Sequence, residues 1–331
     1  MTKKTFPIML CMLCVFGLFA FSQPNSINKA KSFAASLENL WQEDQDFEIS
    51  DGMEIPLADA PISTVLMPEA SGKIVYSNQN AAIDASNSEQ GYIMVKYTGS
   101  STAKKKVIVT GPSKVRYTYD LNSNGQYEVF PMSDGSGGYT VGIYQNISGT
   151  KYGTVYTASM NIALQDEFAP FLLPNQYVNY NENSKATLKA AELTKDQPTI
   201  LNKIDVIYKY VINNVAYDRQ EAATVQSGYL PNVDEVLTTG KGICFDYAAL
   251  MTAMLRSQGV PTKLVVGYSG TAYHAWINTW TKESGWLEGV IFFDGTTWKL
   301  MDPTYASSGK SGEAIMKYIG DGTNYSAKYL Y

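Results

Sequence analysis

Outside its first 22 residues the chain has one cysteine, Cys244, and its only histidine, His274, follows thirty residues later. Asp302 comes twenty-eight residues after that, in the run Met301-Asp302-Pro303-Thr304. A thiol, an imidazole and a carboxylate are the three parts of an activated sulfur nucleophile. The imidazole takes the thiol proton, and the carboxylate fixes the ring's tautomer and orientation. Taken singly, each residue has a plainer use. A cysteine near a helix start packs as a small core residue, a strand histidine can be a satisfied structural group, and an aspartate before proline forms turns. One Cys, one His and one Asp are too few ligands for a closed structural zinc site, so no metal or cofactor is expected.

The local patterns say how these residues are held. Gly240-Lys241-Gly242-Ile243-Cys244 ends a loop, and Tyr247, Ala248, Met251 and Leu255 then recur at helical spacing until Gly259 and Pro261. Cys244 therefore falls in a first helical turn, where unpaired N–H groups and the helix dipole favour a thiolate. The same N–H groups can receive the oxyanion of a tetrahedral intermediate. Downstream, Lys263–Tyr268, Ala272–Trp280 and Trp286–Phe293 read as strands, and Thr297–Met301 leads into Asp302. His274 and Trp276 share one face of the second strand. The spacing thus predicts a helix carrying the thiol, facing a sheet that carries imidazole and carboxylate.

Upstream the texture differs. Seven runs between residues 62 and 164 read as short strands: Lys73–Tyr76, Tyr92–Tyr97, Lys106–Thr110, Val115–Tyr119, Gln126–Phe130, Tyr139–Tyr144 and Tyr152–Leu164. They predict an antiparallel, immunoglobulin-like sandwich over residues 62–168. Asp120-Leu121-Asn122-Ser123-Asn124-Gly125 matches the first half of a calcium loop, but Pro131 stands where the bidentate glutamate belongs. Its Asn-Gly step is read as a tight hairpin turn instead. Two helices are expected after Pro170 and Pro174. Leu188 to Leu193 lies on the first, and the second, opened by Pro198, carries Ile200, Ile204, Ile207, Tyr208 and Val211 on one face.

The chain of 331 residues is long enough for two domains and is 45% hydrophobic, which excludes disorder. Lys3 and Lys4 before the apolar run Phe6–Phe21, then Ala20-Phe21-Ser22, read as a secretory signal over residues 1–22. Cys11 and Cys14 lie inside that run, which is short for an uncleaved anchor. Residues 23–61 read as a short amphipathic helix (Ala30, Phe33, Leu37, Leu40) and an acidic linker. Loss of the signal's two lysines moves the net charge from −5 to −7, which gives no support to nucleic-acid binding. A secreted or surface-associated monomer is expected, with no transmembrane segment in the mature chain. Its single thiol has no partner for an internal disulfide.

Five blocks, in order, resemble the core of transglutaminase-like proteins: Gly242-Ile243-Cys244-Phe245-Asp246-Tyr247-Ala248, Leu255-Arg256-Ser257-Gln258-Gly259-Val260-Pro261, Val266-Gly267-Tyr268, His274-Ala275-Trp276 and Asp302-Pro303-Thr304. The resemblance covers roughly residues 195–305. It implies a papain-like α+β fold over residues 169–331, with Cys244 as nucleophile, His274 as general base and acid, and Asp302 as the residue orienting the imidazole. Tyr229 falls where animal transglutaminases carry a tryptophan, so it is either an oxyanion donor or a packed aromatic. Asp246 matches a frequent acidic position of bacterial members, with a role in local hydrogen bonding or charge pairing. Ile243 and Phe245 replace the Gln and Trp that flank the cysteine in animal enzymes. Their calcium-binding segments and C-terminal β-domains have no match in this chain. The expected activity is therefore acyl transfer from protein or peptide amides through a thioester, with hydrolysis favoured over cross-linking. Cell-wall or surface proteins are the expected substrate pool. A non-catalytic wall-binding protein that keeps the fold is the alternative.

Overall fold

The computed structural model describes residues 65–282, 284–288, 291–293, 298–300, 304 and 324–331. The expected signal peptide and N-terminal helix lie outside these residues. The first part is all β. Strands β1 (Val75–Ser77), β2 (Ala81–Asp84), β3 (Tyr92–Tyr97) and β6 (Glu128–Pro131) make one antiparallel sheet in the order β1-β2-β3-β6. Strands β4 (Lys105–Thr110), β5 (Arg116–Leu121), β7 (Gly137–Ser148) and β8 (Lys151–Ile162) make the second, in the order β5-β4-β7-β8. Burial alternates along β5, with Tyr117, Tyr119 and Leu121 inward, as a sheet with one wet face requires. Across the interior the Tyr119 ring meets Phe130 of the other sheet edge-on at 5.1 Å, the geometry aromatic quadrupoles favour.

Two details differ from the sequence reading. The strand β2 went unpredicted, because it is four residues long and ends in Asp84, a type depleted from strands. That carboxylate is used locally, taking the N–H groups of Gly72 at 2.7 Å and Ser86 at 2.9 Å. The Asn124-Gly125 step does not close a hairpin. Gly125 has the positive φ such a turn wants (77°), but β5 pairs with β4 and β6 with β3, so the loop crosses between sheets. Turn chemistry is local, whereas strand partners are chosen by distant pairing. Within the half-motif for calcium, Asp120 pairs with Lys106 at 2.5 Å.

The second part is mixed. Helices α1 (Lys185–Thr194), α2 (Ile200–Asn214), α3 (Arg219–Thr224), α4 (Val233–Thr239) and α5 (Cys244–Arg256) precede a four-stranded antiparallel sheet. Its order is β13 (Gly285–Leu287), β12 (Ala272–Thr281), β11 (Thr262–Ser269), β16 (Tyr325–Leu330). A two-residue parallel pair, β9 (Ala216–Tyr217) with β10 (Lys241–Gly242), lies just before α5. The run expected as one strand over 286–293 is split. β13 pairs with β12, while β14 (Ile291–Phe293) pairs with β15 (Trp298–Leu300) in a separate ribbon.

Helix α5 is the centre of this part. It touches α1, α2 and α4 on one side and β11 and β12 on the other, and every residue from Asp246 to Arg256 is buried. A helix enclosed all round must be apolar all round, and Ala248 to Met251, Ala253, Met254 and Leu255 meet that demand. Its last residue, Arg256, is an exception that ties the fold together. The guanidinium donates to the carbonyls of Thr262 at 2.8 Å, Leu173 at 2.6 Å and Tyr331 at 2.6 Å. One side chain thereby fixes α5, the linker before α1, the start of β11 and the residue after β16. Burial pulls its pKa down to about 10. Tyr331 carries the connection into the sandwich, its ring meeting Tyr117 at 5.6 Å and Tyr177 at 4.4 Å.

Arg256→Met would take the charged donor from three buried backbone oxygens, of which Tyr331's keeps the Leu264 N–H at 2.9 Å. It should cost about 3–5 kcal/mol, since hydrogen bonds to a charged group are the stronger class and buried acceptors cannot recruit water. Urea unfolding of both chains measures this, and a loss below about 1 kcal/mol would contradict the clamp.

Candidate active site

Cys244 is the first residue of α5 and the only free cysteine among the described residues, partly exposed where the rest of the helix is enclosed. The residue before it, Ile243, is the N-cap. It has extended backbone and no side-chain acceptor to fold over the first turn. The N–H groups of Cys244 and Phe245 donate to no described residue. Helices leave such donors unpaired at their start, and the dipole makes that end attractive to negative charge. The turn thus combines a thiol with two open N–H groups, the requirement for a thiolate and for an oxyanion.

The turn is held from inside the helix. Asp246, fully buried, accepts the Ile243 N–H at 2.8 Å and the Tyr229 hydroxyl at 2.8 Å. This is the reciprocal half of a capping box, with the N-cap half missing because Ile243 cannot supply it. Gly242 makes the approach possible, since a Cβ there would sit 2.6 Å from the Asp246 Cβ. Burial pushes the Asp246 pKa up to about 6. The bonds from Ile243 and Tyr229 oppose the rise, and the charges of Glu221 and Glu235 add to it. Burial, Asp246 and Glu221 together push the Tyr229 phenol well above its usual range.

His274 lies on β12 and is buried, with 7% of its surface exposed. Strand alternation groups it with Trp276 and Asn278, and groups Tyr273 with Ala275 and Ile277. Its ring stacks near Trp276 (6.2 Å, 23°), and both rings lie beside Tyr325. Gly267 is its partner across β11. A Cβ at Gly267 would collide with the Ser326 carbonyl and reach 2.9 Å from the Trp276 ring, so glycine admits both. On the alternate positions of β12, partial burial pushes Tyr273 up to about 12, with neighbouring tyrosines and Cys244 contributing. Phe245 packs against Tyr177 at 5.8 Å, and the Tyr177 hydroxyl donates to Thr118 of β5. Asp302 lies outside the described residues.

Residues 188–289 match the transglutaminase-like superfamily. This part of the chain is a transglutaminase-like domain. The match includes Cys244 and His274 and ends before Asp302. The chain is 26% identical over 117 residues to the uncharacterised protein YebA of Bacillus subtilis, covering 30% of this chain and 16% of that one. It is 32% identical over 105 residues to a protein-glutamine gamma-glutamyltransferase of Pseudomonas aeruginosa, covering 27% of this chain and 13% of the relative. It therefore spans less than a fifth of either protein. Among solved structures, a candidate cysteine protease from Cytophaga hutchinsonii overlaps 64% of this chain and 71% of its own, at 15% identity and a TM-score of 0.33.

The transglutaminase-like domain also holds a feature that the sequence reading left without a role. A cavity of about 570 Å³ opens between α3, α4 and the first turn of α5. Asp218, Glu221, Glu235 and Asp246 line it together with Tyr229 and Lys241. Neither Cys244 nor His274 does. The one O–H proton of Tyr229 goes to Asp246, so donating to an oxyanion would require that bond to open. Asp246 could be picked out in sequence by its place three residues beyond the N-cap, the capping-box position. Its burial and its pairing with a residue seventeen positions away could not.

Folding raises the pKa of Asp246, so the native state holds the extra proton, and stability falls as pH rises through the window from the ordinary aspartate range to about 6. Asp246→Asn keeps an acceptor for the Ile243 N–H and removes the charge. Relative to the parent chain it should gain about 2 kcal/mol between pH 4 and pH 7. Urea unfolding at both pH values checks this, and a pH-independent difference would contradict the assignment.

Proposed function

We propose that this protein is an exported cysteine acyl-transfer enzyme acting on protein or peptide amides, with Cys244, His274 and Asp302 as its triad. The observation that carries the reading is the first turn of α5. It offers a partly exposed thiol with two open N–H groups beside it, inside a transglutaminase-like domain. In the proposed reaction the Cys244 thiolate attacks the carbonyl carbon, and the carbonyl electrons move onto oxygen facing the N–H groups. The C–N bond then breaks, His274 gives its proton to the leaving amine, and a thioester remains. Asp302 orients the imidazole throughout. Water next adds to the thioester while His274 takes its proton, and the C–S bond breaks to release acid and restore the thiolate. An incoming amine in place of water would give cross-linking from the same thioester. Hydrolysis is favoured because this chain has no match to the calcium-binding segments of animal transglutaminases.

Export rests on the signal-like residues 1–22, and it makes cell-wall or surface proteins the natural substrates of a monomeric enzyme. The sandwich is read as immunoglobulin-like on its strand order: β1, β2, β3 and β6 in one sheet, and β5, β4, β7 and β8 in the other. One observation favours the second reading, a wall-binding protein without turnover: His274 is buried beside Trp276 and Tyr325.

Cys244→Ala should abolish turnover with little change in melting temperature. The test incubates parent and variant with an extract of surface proteins and compares cleaved peptides and isopeptide links by mass spectrometry. Asp302→Asn should slow the reaction severely, by as much as about 10⁴-fold. Equal product from parent and Cys244→Ala would leave the wall-binding reading.

A further inference from the structure

A helix whose N-terminus must serve an oxyanion faces a conflict. The usual N-cap residues, Ser, Thr, Asp and Asn, fold their oxygen over the N–H of the second or third helical residue. In α5 those are Phe245 and Asp246. A good N-cap would therefore occupy or shield the donors beside Cys244. Without any cap, the turn would fray and the thiol would lose its fixed position. Here the N-cap is Ile243, which cannot accept, and the holding bond runs the other way, from the Ile243 N–H to Asp246.

We propose that Asp246, fixed by Tyr229, is a positioning residue that secures the first turn of α5 while leaving the Cys244 and Phe245 N–H groups open for a substrate oxyanion. This rests on the acyl-transfer reading above. Three observations carry it. Asp246 is fully buried, with one carboxylate oxygen on Ile243 and the other on Tyr229, so it cannot swing onto another donor. Gly242 leaves the space that its side chain fills. Tyr229 reaches it from the loop between α3 and α4, with Glu221 beside the same hydroxyl and Glu235 and Lys241 around the cavity. The acidic cavity behind the turn is then the socket of the clamp. In this reading Tyr229 acts through Asp246 and does not touch the substrate.

The test separates oxyanion formation from thiol reactivity on the full chain. Acylation of Cys244 by p-nitrophenyl acetate passes through a tetrahedral oxyanion; alkylation by iodoacetamide is a displacement at carbon and does not. Asp246→Ala should slow acylation about tenfold to a hundredfold, below the roughly 10²–10³-fold cost of removing a donor because the N–H groups stay and lose only alignment, while alkylation changes by less than about threefold. Asp246→Asn, which keeps the acceptor, should restore acylation to within about threefold of the parent chain. If Asp246→Ala does not fold, Tyr229→Phe carries the same comparison, with acylation falling more than alkylation. A parallel fall in both rates, or no fall in either, overturns the clamp and leaves the acyl-transfer reading standing. If the parent thiol is neither acylated nor alkylated until the protein is denatured, the acyl-transfer reading fails first.

Discussion

The three hydrogen bonds of Arg256 are the constraint on which the rest of the structure depends. A guanidinium enclosed at the end of a buried helix must find acceptors, and the acceptors it finds are backbone carbonyls from the linker, β11 and the residue after β16. None of these can move without leaving a charge unsolvated. The position of α5 is therefore set relative to both its own sheet and the tyrosine cluster of the sandwich. Among the described residues no Asp or Glu side chain pairs with the guanidinium, which suits a clamp whose partners lie far apart in sequence. Carbonyls are available from any segment, whereas an acid would have to be placed.

With its C-terminal end fixed, α5 can present its other end. The thirteen residues of the helix run from a partly exposed cysteine to a wholly enclosed arginine. Rigidity at one terminus and access at the other are both consequences of the same burial. The tyrosines add a second link between the parts. Phe245 packs on Tyr177, Tyr177 bonds to Thr118 of β5, and Tyr331 joins the same ring cluster. The sandwich is thus linked through Tyr177 to the residue next to the thiol, which gives it a structural part in the site whatever else it binds.

Much of this was legible in the residues themselves. The start of α5 at Cys244 followed from a glycine-bounded loop and apolar spacing, and β3 from a run of β-formers with the observed ends. Both are decided locally. The misses share a cause. Asn124-Gly125 has the right chemistry for a hairpin, yet the flanking strands pair elsewhere, because each finds a better apolar match in a different sheet. The run over 286–293 was read as one strand since nothing in its composition marks the exchange of partner. The strand β2 is four residues long, and only its neighbours make it a strand.

By itself, the sequence determined which groups could do chemistry: one thiol beyond the first 22 residues, one imidazole and an aspartate placed between a strand-like run and a proline, with the thiol at a helix start. Composition and local periodicity suffice for that, since they depend on residue type and on spacing within a few turns. Only the tertiary structure decided that Arg256 is enclosed by backbone oxygens, that Tyr229 gives its proton to Asp246, and that His274 lies beside Trp276 and Tyr325. Each of those is an encounter between residues distant along the chain. Burial, which sets the cost of leaving a charge or a donor unmatched, exists only once the chain has folded around them.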